Sequence, residues 1–119
     1  MQINIADAAE DMVIYNITGA TKEELENKLN LFFTSEGYRF KKAEGETRTY
    51  EKGNRTARIL LGAFVKYNKQ SVTIKSQNDL FSLKIYRDST GMSGGLIGMN
   101  QVKKEFHRLT EAFKTYFSK

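Results

Sequence analysis

The residues best placed to do chemistry are concentrated in one short run. Gly91-Met92-Ser93-Gly94-Gly95-Leu96-Ile97-Gly98 contains four of the chain's nine glycines and leads into a segment of helical periodicity. Glycine loses more conformational freedom on folding than any other residue. Such a cluster marks backbone that bends through positive φ, approaches another group closely, or moves. Gly91-Met92-Ser93-Gly94-Gly95 has the G-x-S-x-G form in which a sharp strand-to-helix turn lifts a nucleophilic serine beside backbone donors. The surroundings argue against hydrolysis through Ser93. The preceding strand pattern ends near Arg87, and the helical pattern becomes clear only near Asn100. The one histidine, His107, has Glu105 two residues away, on a different helical face where it cannot orient the imidazole.

Two other chemistries suit the same run. Successive glycine amides ahead of a helix can cradle an anion, and Lys103 and Lys104 follow closely. The phosphate-loop and dinucleotide spacings are both absent, which weakens that reading. Alternatively Met92, Leu96 and Ile97 form an apolar tip that gates a cavity or meets a partner. If the helix begins near Gly95 instead, Leu96 and Met99 extend its buried stripe and Gly98 permits close packing.

Composition excludes further classes. The chain has no cysteine, so disulfides, thiol catalysis and thiolate metal sites are ruled out. His107 has no histidine partner at helical spacing, and no calcium-loop pattern occurs, so neither metal nor cofactor is expected. No apolar run approaches the roughly 20 residues that span a bilayer. The first ten residues lack a secretory pattern, which points to a cytoplasmic protein.

The net charge of +5 is unevenly spread. Residues 1–37 sum to −5 and residues 38–119 to +10. The outward phase of the strand patterns carries Arg39, Lys41, Lys75 and Lys84, with Tyr86 in phase with Lys84. A basic face with aromatics can stack single-stranded nucleic acid. Any antiparallel sheet, however, has a polar outward face.

The elements that must position these groups follow from periodicity. Met12–Thr18 reads as a strand. The segment before it shows no clear pattern, and residues 1–11 are expected to be poorly ordered. Thr21-Lys22-Glu23-Glu24 has the form of a capping box, followed by a stripe of Leu25, Leu29, Phe32 and Phe33, and Gly37 sits where a left-handed cap belongs. Strand patterns then occupy residues 38–42 and 47–51, as one bulged strand or two. They continue over Arg58–Tyr67, Ser71–Lys75 and Leu80–Tyr86. The last helix carries Val102, Phe106, Leu109, Phe113, Tyr116 and Phe117 at three- and four-residue steps.

Short connections favour sequential antiparallel pairing. The expected fold is a single α+β domain over residues 1–119 with one antiparallel sheet. Its order is β-α-β(4–5)-α, with both helices packed on one face. That element order resembles the TATA-binding-protein-like and helix-grip-like architectures, a likeness that implies nothing about activity. The expected function is a small non-enzymatic binding module for a protein or small-molecule partner. Gly91, Ser93, Gly94, Gly95 and Gly98 are its contact residues. Nucleic-acid binding on the basic face is the alternative.

Overall fold

The computed structural model describes residues 1–53, 67–87 and 95–118, with backbone only at Tyr67 and at residues 95–100. Strands β1 (Gln2–Ala8) and β2 (Met12–Thr18) precede helix α1 (Lys22–Ser35). Strands β3 (Arg39–Glu44), β4 (Thr47–Gly53), β5 (Tyr67–Gln77) and β6 (Leu80–Arg87) follow, and helix α2 (Gly95–Phe117) ends the order. All six strands form one antiparallel sheet in the order β1-β2-β6-β5-β4-β3. The α+β class and the single antiparallel sheet agree with the sequence.

The expected element order needs correction. Two strands precede α1, not one, because Gln2–Ala8 pairs along β2 as an edge strand. Ile3 and Ile5 do alternate with polar residues, but a bulge between Ile5 and Asp7 breaks the period before it becomes legible. Residues 38–42 and 47–51 belong to two strands. Gly45, at φ +60°, makes the two-residue turn between β3 and β4, and β3 has its own bulge between Phe40 and Lys42. The expected Arg58–Tyr67 strand lies outside the described residues except for Tyr67, which opens β5. The partner of β4 on its inner side is β5, with Gly53 opposite Tyr67.

One face of the sheet carries the core. Cross-strand register puts Val13, Ile85 and Val72 in one row and Tyr15, Leu83 and Ile74 in the next. Both helices lie on this inner face. Phe33 of α1 stacks on Tyr50 of β4 at 4.1 Å between ring centres, and Phe113 of α2 meets Tyr15 of β2 at 4.8 Å. The helices also touch each other. Phe32 packs edge-on against Phe113 at 5.3 Å and lies beside Tyr116 and Phe117. The predicted stripes are buried: Leu25, Leu29, Phe32 and Phe33 on α1, and Phe106, Leu109, Phe113 and Phe117 on α2. No helix among the described residues is long and apolar enough to cross a membrane.

Candidate functional site

The inner face is apolar over most of its area and polar at one end. Strand side chains alternate between faces, so Gln70 and Asn68 share the phase of Val72 and Ile74 and point inward. Gln70 is 0% exposed and Asn68 7%. Lys52 faces the same way from β4, opposite Asn68, and Arg87 does so from β6, opposite Gln70. The N-terminal half of α2 lies over this end.

The end of α1 places the next member. Glu36 is its C-cap, and Gly37 takes φ +86°, a left-handed conformation that glycine adopts without a Cβ penalty. The Gly37 N–H donates to the Thr34 carbonyl at 3.0 Å, and the Tyr38 N–H to the Phe33 carbonyl at 2.8 Å. This paired closure is the Schellman arrangement. It turns the chain sharply into β3 and sends the Tyr38 ring inward, where it is buried against Phe33. The Lys52 ammonium lies over the same ring, 5.6 Å from its centre.

From α2, Glu105 completes the cluster. The Tyr38 hydroxyl donates to Glu105 Oε2 at 2.7 Å, and Gln70 Nε2 donates to the Tyr38 oxygen at 3.3 Å. Arg108 grips Glu105 with two parallel bonds of 2.9 and 2.8 Å and reaches Glu36 with its third nitrogen. Lys52 Nζ is 3.8 Å from Glu105 Oε2. The cluster thus ties the turn that follows α1, together with β4 and β5, to α2.

Proton bookkeeping fixes its orientation. Tyr38 has one hydroxyl proton, and the carboxylate takes it. The hydroxyl can only accept from Gln70, so Gln70 must present its NH₂ group there. Its carbonyl oxygen therefore points the other way. That atom, Gln70 Oε1, and Asn68 Oδ1 are buried with no hydrogen-bond partner among the described residues. A buried polar atom without a partner costs about 1–3 kcal/mol. Arg48, on the same face, provides the contrast. It donates to Tyr50, Glu26 and Asn30 at 3.0–3.1 Å, so the polar contacts under α1 are satisfied.

Charge in the cluster is balanced. Burial pushes the Glu105 carboxyl up, but the bonds from Arg108 and Tyr38 and the nearby Lys52 outweigh it and hold the group below its ordinary value. Burial pushes the Tyr38 hydroxyl well up, and the Glu105 charge reinforces the shift. The Arg108 guanidinium is raised by its bonds to Glu105 and Glu36. Glu105 therefore stays ionised, Tyr38 neutral and Arg108 charged at neutral pH.

Of the predicted contact residues, Gly91, Ser93 and Gly94 lie outside the described residues. Gly95 and Gly98 lie within α2, which begins at Gly95, the earlier of the two starts the sequence allows. Gly98 precedes Glu105 by seven residues, about two turns, so helical periodicity places both on one face. His107 is exposed on another side of α2. There it lines a groove of about 300 Å³ against β1, with Ile5, Val13 and Phe106. Among the described residues no cluster of potential metal ligands occurs.

The outer face holds the predicted basic residues, but not as an unopposed patch. Arg39 and Lys41 both approach Glu51, at 3.4 and 3.9 Å, and Lys42 approaches Glu44 at 3.1 Å. Lys84 leans over Tyr86, its nitrogen 5.4 Å from the ring centre, and Lys75 lies opposite Ser82. Sequence reading overlooked Tyr38, Asn68, Gln70 and Arg108. Phase was the available signal for two of them: counting back in twos from Val72 reaches Gln70 and Asn68.

Compared with known proteins, the chain matches no family model, and no curated protein matches its sequence.

Proposed function

We propose that the chain is a non-enzymatic binding domain whose ligand contacts the polar end of the inner sheet face, beneath the N-terminal half of α2. One observation carries this reading: Gln70 Oε1 and Asn68 Oδ1 are buried side by side with unused acceptor capacity. Such groups in a folded protein call for a partner from outside the regular structure, either water or a ligand. The reading also takes in the end of the glycine run. Gly98 continues the helix face that bears Glu105.

The test is a thermal-shift screen against a broad set of metabolite-sized compounds. A ligand that binds only the folded state raises the melting temperature, by an amount that grows with the logarithm of its concentration above Kd. Wild-type protein is expected to be stabilised by at least one compound class, with the shift lost in Gln70→Met and reduced in Gly98→Leu. Stabilisation retained in both variants would place the site elsewhere.

The outer face supports nucleic-acid binding less well. Glu51 and Glu44 offset Arg39, Lys41 and Lys42, which leaves Lys75 and Lys84, beside Tyr86, of the basic residues expected on that face. Affinity for single-stranded nucleic acid that falls steeply with salt would favour that second reading.

A further inference from the structure

The polar end of the inner face narrows the chemistry of its ligand, on the assumption that this end is indeed the binding site. Gln70 donates its NH₂ to Tyr38, Tyr38 donates to Glu105, and Glu105 is held by Arg108 and Lys52. These donors and charges are thus engaged with one another. Lys52 and Arg108 balance Glu36 and Glu105, so the cluster offers no spare counter-charge. Among the described residues, the buried acceptors without a partner are two carbonyl oxygens, Gln70 Oε1 and Asn68 Oδ1.

Both residues rise from β5 two positions apart, a spacing of roughly 7 Å along a strand. We infer that the site takes a neutral small molecule with two N–H or O–H donors at about that separation. An anion such as phosphate or a carboxylate brings only acceptors and would face two carbonyl oxygens. A cation would find the cluster's carboxylate, Glu105, already held by Arg108, Tyr38 and Lys52. Arg87, opposite Gln70 on β6, introduces a positive charge at the edge of the site, so an anionic ligand is the competitor that must be tested directly.

Three compounds of equal chain length separate the cases: succinamide, succinate and 1,4-diaminobutane. Each is titrated into isotopically labelled full-length protein, and the side-chain amide signals of Gln70 and Asn68 are followed by NMR. Succinamide is expected to move both signals, with affinity at least about tenfold weaker in Gln70→Met, the factor equivalent to one lost hydrogen bond to a buried acceptor. Because those signals are read on wild-type protein, the result stands even if the variant folds poorly. Larger shifts with succinate or with the diamine overturn the neutral-donor assignment but leave the site in place. If none of the three compounds moves either signal, the acceptors are satisfied without a ligand, and both this inference and the proposed site are wrong.

Discussion

Tyr38 has one hydroxyl proton, which it donates to Glu105 while its oxygen accepts from Gln70, and that asymmetry organises the polar cluster. Tyr38→Phe removes the donor to Glu105 and the acceptor for Gln70 together. It is expected to cost about 1–3 kcal/mol in urea unfolding, because buried partners are left unmet. Glu105 gives a pH signature. Its carboxyl is held below the ordinary value of 4.5, so its contribution to stability is complete above that pH and is lost as pH falls through the lowered value. Glu105→Gln should therefore flatten the acid limb of a plot of stability against pH. The tyrosines act in the opposite sense. Burial raises Tyr15 and Tyr38 above 10.0, so their neutral forms support the fold below that pH and the support is lost as pH rises beyond it. At this scale the sequence was only partly legible. Glutamine and asparagine on a strand look like surface residues, and only their phase reveals that Gln70 and Asn68 face the core.

Elements were read more securely, and α1 most securely of all. Its capping box is present as the spacing required. Thr21 Oγ accepts from the Glu24 N–H at 3.1 Å, and Glu24 Oε1 accepts from the Thr21 N–H at 3.0 Å. Thr21→Ala should destabilise the protein by about 1 kcal/mol in chemical denaturation. Gly37→Ala should cost about 1–2 kcal/mol, because a Cβ is strained at positive φ. It should also shift the NMR signals of Tyr38 and Gln70, since the cap aims the Tyr38 ring. The same substitution at an exposed helical position would leave those signals unchanged. Helices announce themselves through a stripe and two caps, all local. Strand β1 has neither a long period nor a turn signal of its own, and its bulge erases what alternation it had. Strand β5 extends beyond its apolar part into Asn68 and Gln70, so hydrophobic alternation marked only its centre.

At the scale of the whole molecule, the aromatic contacts join both helices to the sheet. Phe32 lies against Phe113, Tyr116 and Phe117 with no polar group between, so Phe32→Ala should cost about 3–5 kcal/mol. The loss should appear in a single calorimetric transition, because neither helix has a separate core to retain. That one antiparallel sheet would form was legible from short connections. The sequential pairing of β3 to β6 was legible in the same way, but the place of β2 was not, since its pairing with β6 joins distant parts of the chain and leaves no local trace. Val13 and Ile85, opposite one another in that pairing, stand 72 positions apart. During synthesis the ribosome therefore releases β2 long before its central neighbour exists. Contacts of such range slow folding towards the millisecond-to-second regime. Until Arg87 has emerged, Val13, Tyr15 and Ile17 can be sheltered only by the β1 hairpin, α1 or a chaperone.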